Sequence, residues 1–155
     1  MKKYMTASML ALSLMMTNNA FADSALGVVL GDPTGFSGRT SLDGQHSLEG
    51  ALAYSTGHHS GLHVHGTYLW DRARVFSVER SGPIEMYYGL GVRLISINSG
   101  KHDGDIAIGP RAPLGLVYNI NNPNLEFFGE LSLALDLAPD TDVDLDAGIG
   151  VRIRF

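Results

Sequence analysis

Cysteine is absent from the 155 residues, lysine is nearly so, and no apolar run beyond Phe21 is long enough for a membrane helix. The first absence excludes a disulfide framework, so an exported chain this small needs another source of stability. The second leaves Lys2 and Lys3 at the start and Lys101 alone in a Gly- and Asp-rich stretch. Soluble sheets usually mark their polar face with Lys and Glu, and a nucleic-acid footprint needs clustered cations; this chain offers neither. The third absence excludes crossing a membrane by helix, which takes about 20 consecutive apolar residues. Helical periodicity is missing almost everywhere as well. If the chain enters a membrane, it enters as strands.

The N-terminus sets the compartment. MKKYMTASMLALSLMMTNNAFADS has two lysines, an apolar run from Met5 to Met16, and the triplet Ala20-Phe21-Ala22. That order is a secretory signal's, positive then apolar then small-x-small. Residues 1–22 are therefore expected to be removed after Ala22, leaving 23–155 as one domain. Losing Lys2 and Lys3 takes the formal charge from −5 to −7.

Glycine is what the chain has in excess: all 19 lie beyond residue 22. Gly, Pro, Asn and Asp clusters (GDPTG, LDGQ, TGHHSG, NSGKHDGD, NINNPN, APDTD) cut the chain into eight strands, about 24–31, 35–42, 46–56, 61–70, 84–97, 106–119, 125–137 and 143–155. Short breaks between neighbours predict an up-and-down antiparallel order. DRARVFSVERSGP is the exception, either a long turn or an extension of strand four through Arg74–Val78. Pro110 and Pro113 inside strand six predict a bulge or interrupted pairing.

Along each strand, large aliphatic residues alternate with Gly, Ala, Ser and charged ones. Strand seven opposes Leu125, Phe127, Gly129, Leu131, Leu133, Leu135 and Leu137 to Glu126, Phe128, Glu130, Ser132, Ala134 and Asp136. A soluble barrel alternates too, with its aliphatic face inward. Three features favour the opposite facing. Gly89, Gly91, Gly115, Gly148 and Gly150 sit on the charged face, where a solvated surface gains nothing from them but a narrow lumen does. Aromatics of the apolar face gather at strand ends: Tyr68, Trp70, Tyr88, Tyr118, Phe127 and Phe155 toward one rim, Phe36 and Tyr54 toward the other. Such girdles mark membrane interfaces. The scarcity of lysine is the third. The fold expected is all-β, an eight-stranded antiparallel up-and-down transmembrane β-barrel.

GDPTGFSGR, YLWD, YYGLGVRL, GPRAPLGLVY, FGELSLALDLAP and LDAGIGVRIRF resemble, in order, a family of small bacterial outer-membrane β-barrel proteins of uncharacterised function. The likeness spans nearly all of 23–155 and is most specific from Gly109 to Phe155. It implies an outer-membrane location and brings no catalytic residue with it. The last strand, alternating through Ile149, Val151 and Ile153 to Phe155, is similar to the terminal signature that outer-membrane assembly machinery recognises.

Candidate sites all lie on the polar face or in loops. Arg39, Glu49, Arg93, Arg111, Glu126, Glu130, Arg152 and Arg154 form an expected lumen charge network, because buried charge is tolerated only when paired. A last turn centred near Asp140 places Glu126 opposite Arg154, with Arg152 diagonal to Glu126 and Glu130. Arg93 and Arg111 fall close together and need acids such as Glu130 or Glu49. Eight strands leave room for side chains and little else, so a closed plug is expected rather than a solute path. His63 and His65 share a face near His58 and His59; they are weak metal candidates, more simply lumen hydrogen-bonders. Ser37, Ser41 and Ser55 are available to a lipid esterase, yet no local pattern singles one out. Asp136, Asp140, Asp142 and Asp144 read as an acidic outward loop that suits divalent cations beside lipopolysaccharide or, more plainly, turn formation. The expected role is a monomeric, structural or surface-interacting barrel without cofactor, in contact with outer-membrane lipids and lipopolysaccharide. A lipid-modifying enzyme and a soluble lipocalin-like binder are the alternatives.

Overall fold

The computed structural model describes residues 23–56, 60–78, 82–98, 104–138 and 141–155, without the side chains of 73–78 and 82. The expected leader and its cleavage point, Lys101, and the loop residues His58, His59 and Asp140 lie outside the described residues. Eight strands follow in order: β1 (Ser24–Asp32), β2 (Thr34–Ser41), β3 (His46–Ser55), β4 (Gly61–Val78), β5 (Gly82–Ile97), β6 (Ile106–Asn121), β7 (Asn124–Asp136) and β8 (Asp142–Arg154). Most boundaries fall where the turn residues put them. The chief difference is that β4 and β5 run on to Val78 and from Gly82, so the uncertain connection is strand. Alternation is lost there because β4 spends four residues from Arg72 to Phe76 against two of β5, from Met86 to Ile84.

Each strand pairs antiparallel with its sequence neighbour, and β1 pairs with β8 to close the ring. The seam runs from Ala25↔Arg154 to Asp32↔Ala147. An even strand number brings Ser24 and Phe155 to one rim, where the Phe155 N–H donates to the Ser24 carbonyl at 2.9 Å; this is the proximal rim, and the other is distal. The prolines of β6 act as expected. Pairing with β5 lapses between Tyr88↔Leu114 and Gly91↔Arg111 and resumes in the same register. On the β7 side it slips by one residue between Arg111↔Ala134 and the isolated bridge Ile108↔Ala138.

The barrel's polarity is inverted relative to a water-soluble one. Leu26, Leu90, Leu131, Leu133, Leu145 and Ile149 stand outside, while Arg93 and Arg152 are fully buried within. Leu133 is 54% exposed and its neighbour Ser132 only 1%, so the face switches residue by residue. The lipocalin-like alternative needs the aliphatic face around an internal ligand, and that face points out. Of the girdle residues, Phe36, Tyr54, Tyr68, Tyr88, Phe127 and Phe155 are exposed and Trp70 and Tyr118 half-exposed. The Trp70 ring stacks on Tyr88 at 5.7 Å and meets the edge of Tyr68 at 5.2 Å.

Inside, small apolar groups separate the charges: Val29, Leu69, Tyr87, Val117 and Phe128 form one cluster, Ile95, Ile97 and Ala107 another. Tyr87 stands across from Gly115 and Phe128 across from Gly150, and a Cβ at either glycine would collide with the facing ring. Gly66 differs: it faces outward, with open space where a Cβ would go. Gly115→Ala is therefore expected to destabilise the barrel by about 1–3 kcal/mol through overpacking. Gly66→Ala should be neutral or stabilising by up to about 1 kcal/mol, since Ala costs less strand entropy. Denaturant unfolding in detergent micelles, followed by tryptophan fluorescence and gel mobility, compares the two.

Candidate functional site: the polar lumen

Inward-facing positions from nonadjacent strands meet in the lumen, and arginines organise them. Nearest the distal rim, Arg93 on β5 reaches across to β7 and β8. Its Nε and Nη2 donate to Asp136 at 3.0 and 2.8 Å, Nη1 to both Asp146 oxygens at 3.2 and 3.1 Å, and Nη2 also to Asp144 at 3.1 Å. Deeper in, Arg111 on β6 donates to the Glu130 carboxylate and, at 3.2 Å, to Thr67 Oγ1; the Tyr87 hydroxyl donates to the other Glu130 oxygen at 2.7 Å. Arg152 on β8 bonds Glu126 at 2.7 Å and Glu49 at 2.8 Å, donates to Ser37, and lies 3.7 Å over the Phe128 ring. Toward the proximal rim, Arg39 pairs with Asp71 at 2.5 Å and stands 5.0 Å over Tyr87.

The structure brings seven of the eight expected residues into lumen ion pairs, with Arg154 apart from them, and two expected pairings are corrected. Glu126 stands opposite Arg152, not Arg154. Arg154 instead donates to the Ile120 carbonyl at 3.2 Å and to Asn121 Oδ1 at 2.7 Å. Arg93 takes its acids from Asp136, Asp144 and Asp146 rather than from Glu130 or Glu49. Asp136 and Asp144 therefore leave the acidic loop cluster and belong to the lumen; Asp142 begins β8 at the rim. Asp71, Asp146, Thr67 and Tyr87 were not singled out. Asp146 and Tyr87 share the strand parity of Arg152 and Arg93, the signal that identifies them.

His63 and His65 are buried in the lumen, as their parity implies. Their rings bond each other, His65 Nδ1 to His63 Nε2 at 3.1 Å, and His65 Nε2 lies 3.7 Å from Glu49. Among the described residues no three or more His, Cys, Asp or Glu side chains are placed to hold a metal ion. The serines are otherwise engaged: Ser37 accepts from Arg152, Ser55 donates to Asp32 at 2.6 Å, and Ser41 to the Asp43 carbonyl at 2.7 Å. None of the three bonds a histidine among the described residues.

Little space remains. Between Val29, Glu49, His65, Arg111, Glu130 and Asp146 a cavity of about 20 Å³ persists, room for about one water. The larger void is a polar vestibule of about 190 Å³ at the proximal rim, bordered by Arg39, Asp71, Glu85, Asn119, Glu126 and Arg154. At its edge Asp43 is held below the ordinary carboxylate range by the His46 side chain and the Gln45 N–H.

No family model matches the chain, and no curated protein sequence does. Among solved structures, the crystal structure of the N-terminal β-barrel domain of Pseudomonas aeruginosa OprF superposes with a TM-score of 0.63. It is 16% identical, and the match covers 87% of this chain and 98% of that one. A likeness at that identity shows the fold, a closed eight-stranded antiparallel barrel.

Arg93→Ala would leave Asp136, Asp144 and Asp146 crowded together without their cation. Breaking a buried ion pair from one side costs about 3–5 kcal/mol, and that loss of unfolding free energy is expected. Arg154→Ala, which removes only hydrogen bonds at the rim, should cost less than about 1.5 kcal/mol. Equilibrium unfolding of the two variants in one detergent checks the contrast.

Proposed function

We propose that the protein is a small outer-membrane barrel with a closed, ion-paired lumen, acting as a structural or surface-interacting element of the bacterial envelope. The observation that carries this is the apolar exterior: Leu, Val or Ile side chains stand outward on seven of the eight strands and Phe36 on β2, between the two aromatic rims. In water that surface would be a severe aggregation liability; in a bilayer it is the required lipid face, and barrel closure satisfies every strand edge. The resemblance to small outer-membrane barrels, the signal-like leader and the OprF barrel domain's matching fold support the same reading. The proximal rim then faces the periplasm and the short distal connections face outward.

Membrane fractionation and heat-modifiable gel migration test the reading. The protein is expected in the outer-membrane fraction and to migrate anomalously until boiled. Recovery in the soluble periplasmic fraction would overturn it. Within the barrel, Leu133→Arg should cost about 2–4 kcal/mol in lipid vesicles if the site lies near the midplane, measured by denaturant titration against the parent.

The packed lumen makes a further expectation. The purified protein should give no steady conductance in planar bilayers, since the internal void holds about one water and Arg93, Arg111 and Arg152 are buried in the lumen. A reproducible open level whose ion selectivity changes with Arg93→Ala would defeat the closed-plug reading.

A further inference from the structure

Within the lumen proper, charges of opposite sign are joined: Arg93 to three aspartates, Arg111 to Glu130, Arg152 to Glu49 and Glu126, and Arg39 to Asp71. The vestibule at the proximal rim departs from that rule. Arg154 bonds only a carbonyl and an amide oxygen. The acid of β7 nearest it, Glu126, is taken by Arg152, because the hairpin register puts those two opposite each other. Glu85 receives a single long hydrogen bond, 3.5 Å from Asn119 Nδ2. Neither Arg154 nor Glu85 makes an ion pair among the described residues. Asn119 Oδ1 and Arg154 Nε are without partners too, so hydrogen bonding along this wall is incomplete.

These two half-buried charges of opposite sign line one cavity and make no ion pair with each other. They sit on β5 and β8, with β6 and β7 between, about 14 Å apart along the wall at some 4.8 Å per strand. The void of about 190 Å³ exceeds the ~150 Å³ that suffices for a benzene-sized guest. A simple cation would leave Arg154 uncompensated, and a simple anion would leave Glu85 so. A guest with an ammonium at one end and a carboxylate at the other satisfies both.

We propose that the vestibule binds a small zwitterion, an amino acid or short peptide, with its ammonium at Glu85 and its carboxylate at Arg154. Carboxylate recognition suits a guanidinium with free donors, and a carboxylate accepts from a primary ammonium. The separation of the two charges on the wall favours guests whose own charges are well separated over compact α-amino acids.

Isothermal titration calorimetry of the purified barrel in detergent micelles tests the site with glycine, 4-aminobutyrate, 6-aminohexanoate, butylamine and butyrate. Saturable binding is expected for 4-aminobutyrate or 6-aminohexanoate, tighter than for glycine or either singly charged probe. Glu85→Gln and Arg154→Gln should each weaken it about tenfold or more, the scale of one charge-assisted hydrogen bond. Butylamine should respond to Glu85→Gln alone, and butyrate to Arg154→Gln alone. The proposal is overturned if no probe binds saturably, if butylamine or butyrate binds as tightly as the zwitterions, or if neither substitution weakens the zwitterion. The probe comparison on the unsubstituted protein decides the matter even where a variant fails to fold.

Discussion

An eight-stranded barrel encloses a space just wide enough for side chains to fill, and the interior follows from that limit. Across the strand pairs, Arg93 faces Gly109, Arg111 faces Gly91, Arg152 faces Gly27, Leu69 faces Gly89, Tyr87 faces Gly115 and Phe128 faces Gly150. Leu69, Tyr87 and Phe128 lean over the glycine beside them, while Arg93, Arg111 and Arg152 reach acids on other strands. Glycine is costly in a strand, but here it leaves room for the facing Leu69, Tyr87 and Phe128 side chains. The ion pairs depend on this packing, and the closed lumen depends on the ion pairs.

The result is a protein whose cohesive interior is polar and whose surface is apolar. The inward charges are desolvated, so each must be met by several bonds at once. Arg93 uses Nε, Nη1 and Nη2 on three aspartates, and Arg152 engages two glutamates, a serine and an aromatic face. These contacts tie β2, β3, β5, β7 and β8 together through the middle of the ring, in addition to the ladder around it. The arrangement resists shear between strands that backbone pairing alone would allow.

Much of this was legible in the sequence because a strand's period is two. The parity of Leu133 and Glu130, or of Ile149 and Arg152, fixes which face each occupies without knowledge of pairing. Register was not legible to the same degree. Centring the last hairpin near Asp140 rather than one residue earlier moved partners by two, which preserves every face and exchanges every neighbour. That is why Glu126 was matched with Arg154, which stands apart from the ion pairs, although Arg111 does take Glu130 as expected. The acids of Arg93 were hidden for a related reason: Asp136 and Asp144 flank a turn, where Asp is common on local grounds. Past Trp70 the sequence left turn and strand both open, because the extra residues before Phe76 break the alternation.

The seam between β1 and β8 has a kinetic meaning. Val28 and Val151 are neighbours there, although nearly the whole folded chain separates them in sequence. Every other pairing in the ring is a hairpin, formed by segments that follow one another and cheap in loop entropy. The seam is the single long-range step, and until it is made the sheet carries two open edges. Assembly is thus expected to proceed as a growing curved ribbon whose last event is its slowest, as high contact order implies. Arg152, which sits on the seam and bonds Ser37 and Glu49 across it, acts as the latch: its bonds complete only when the ring does.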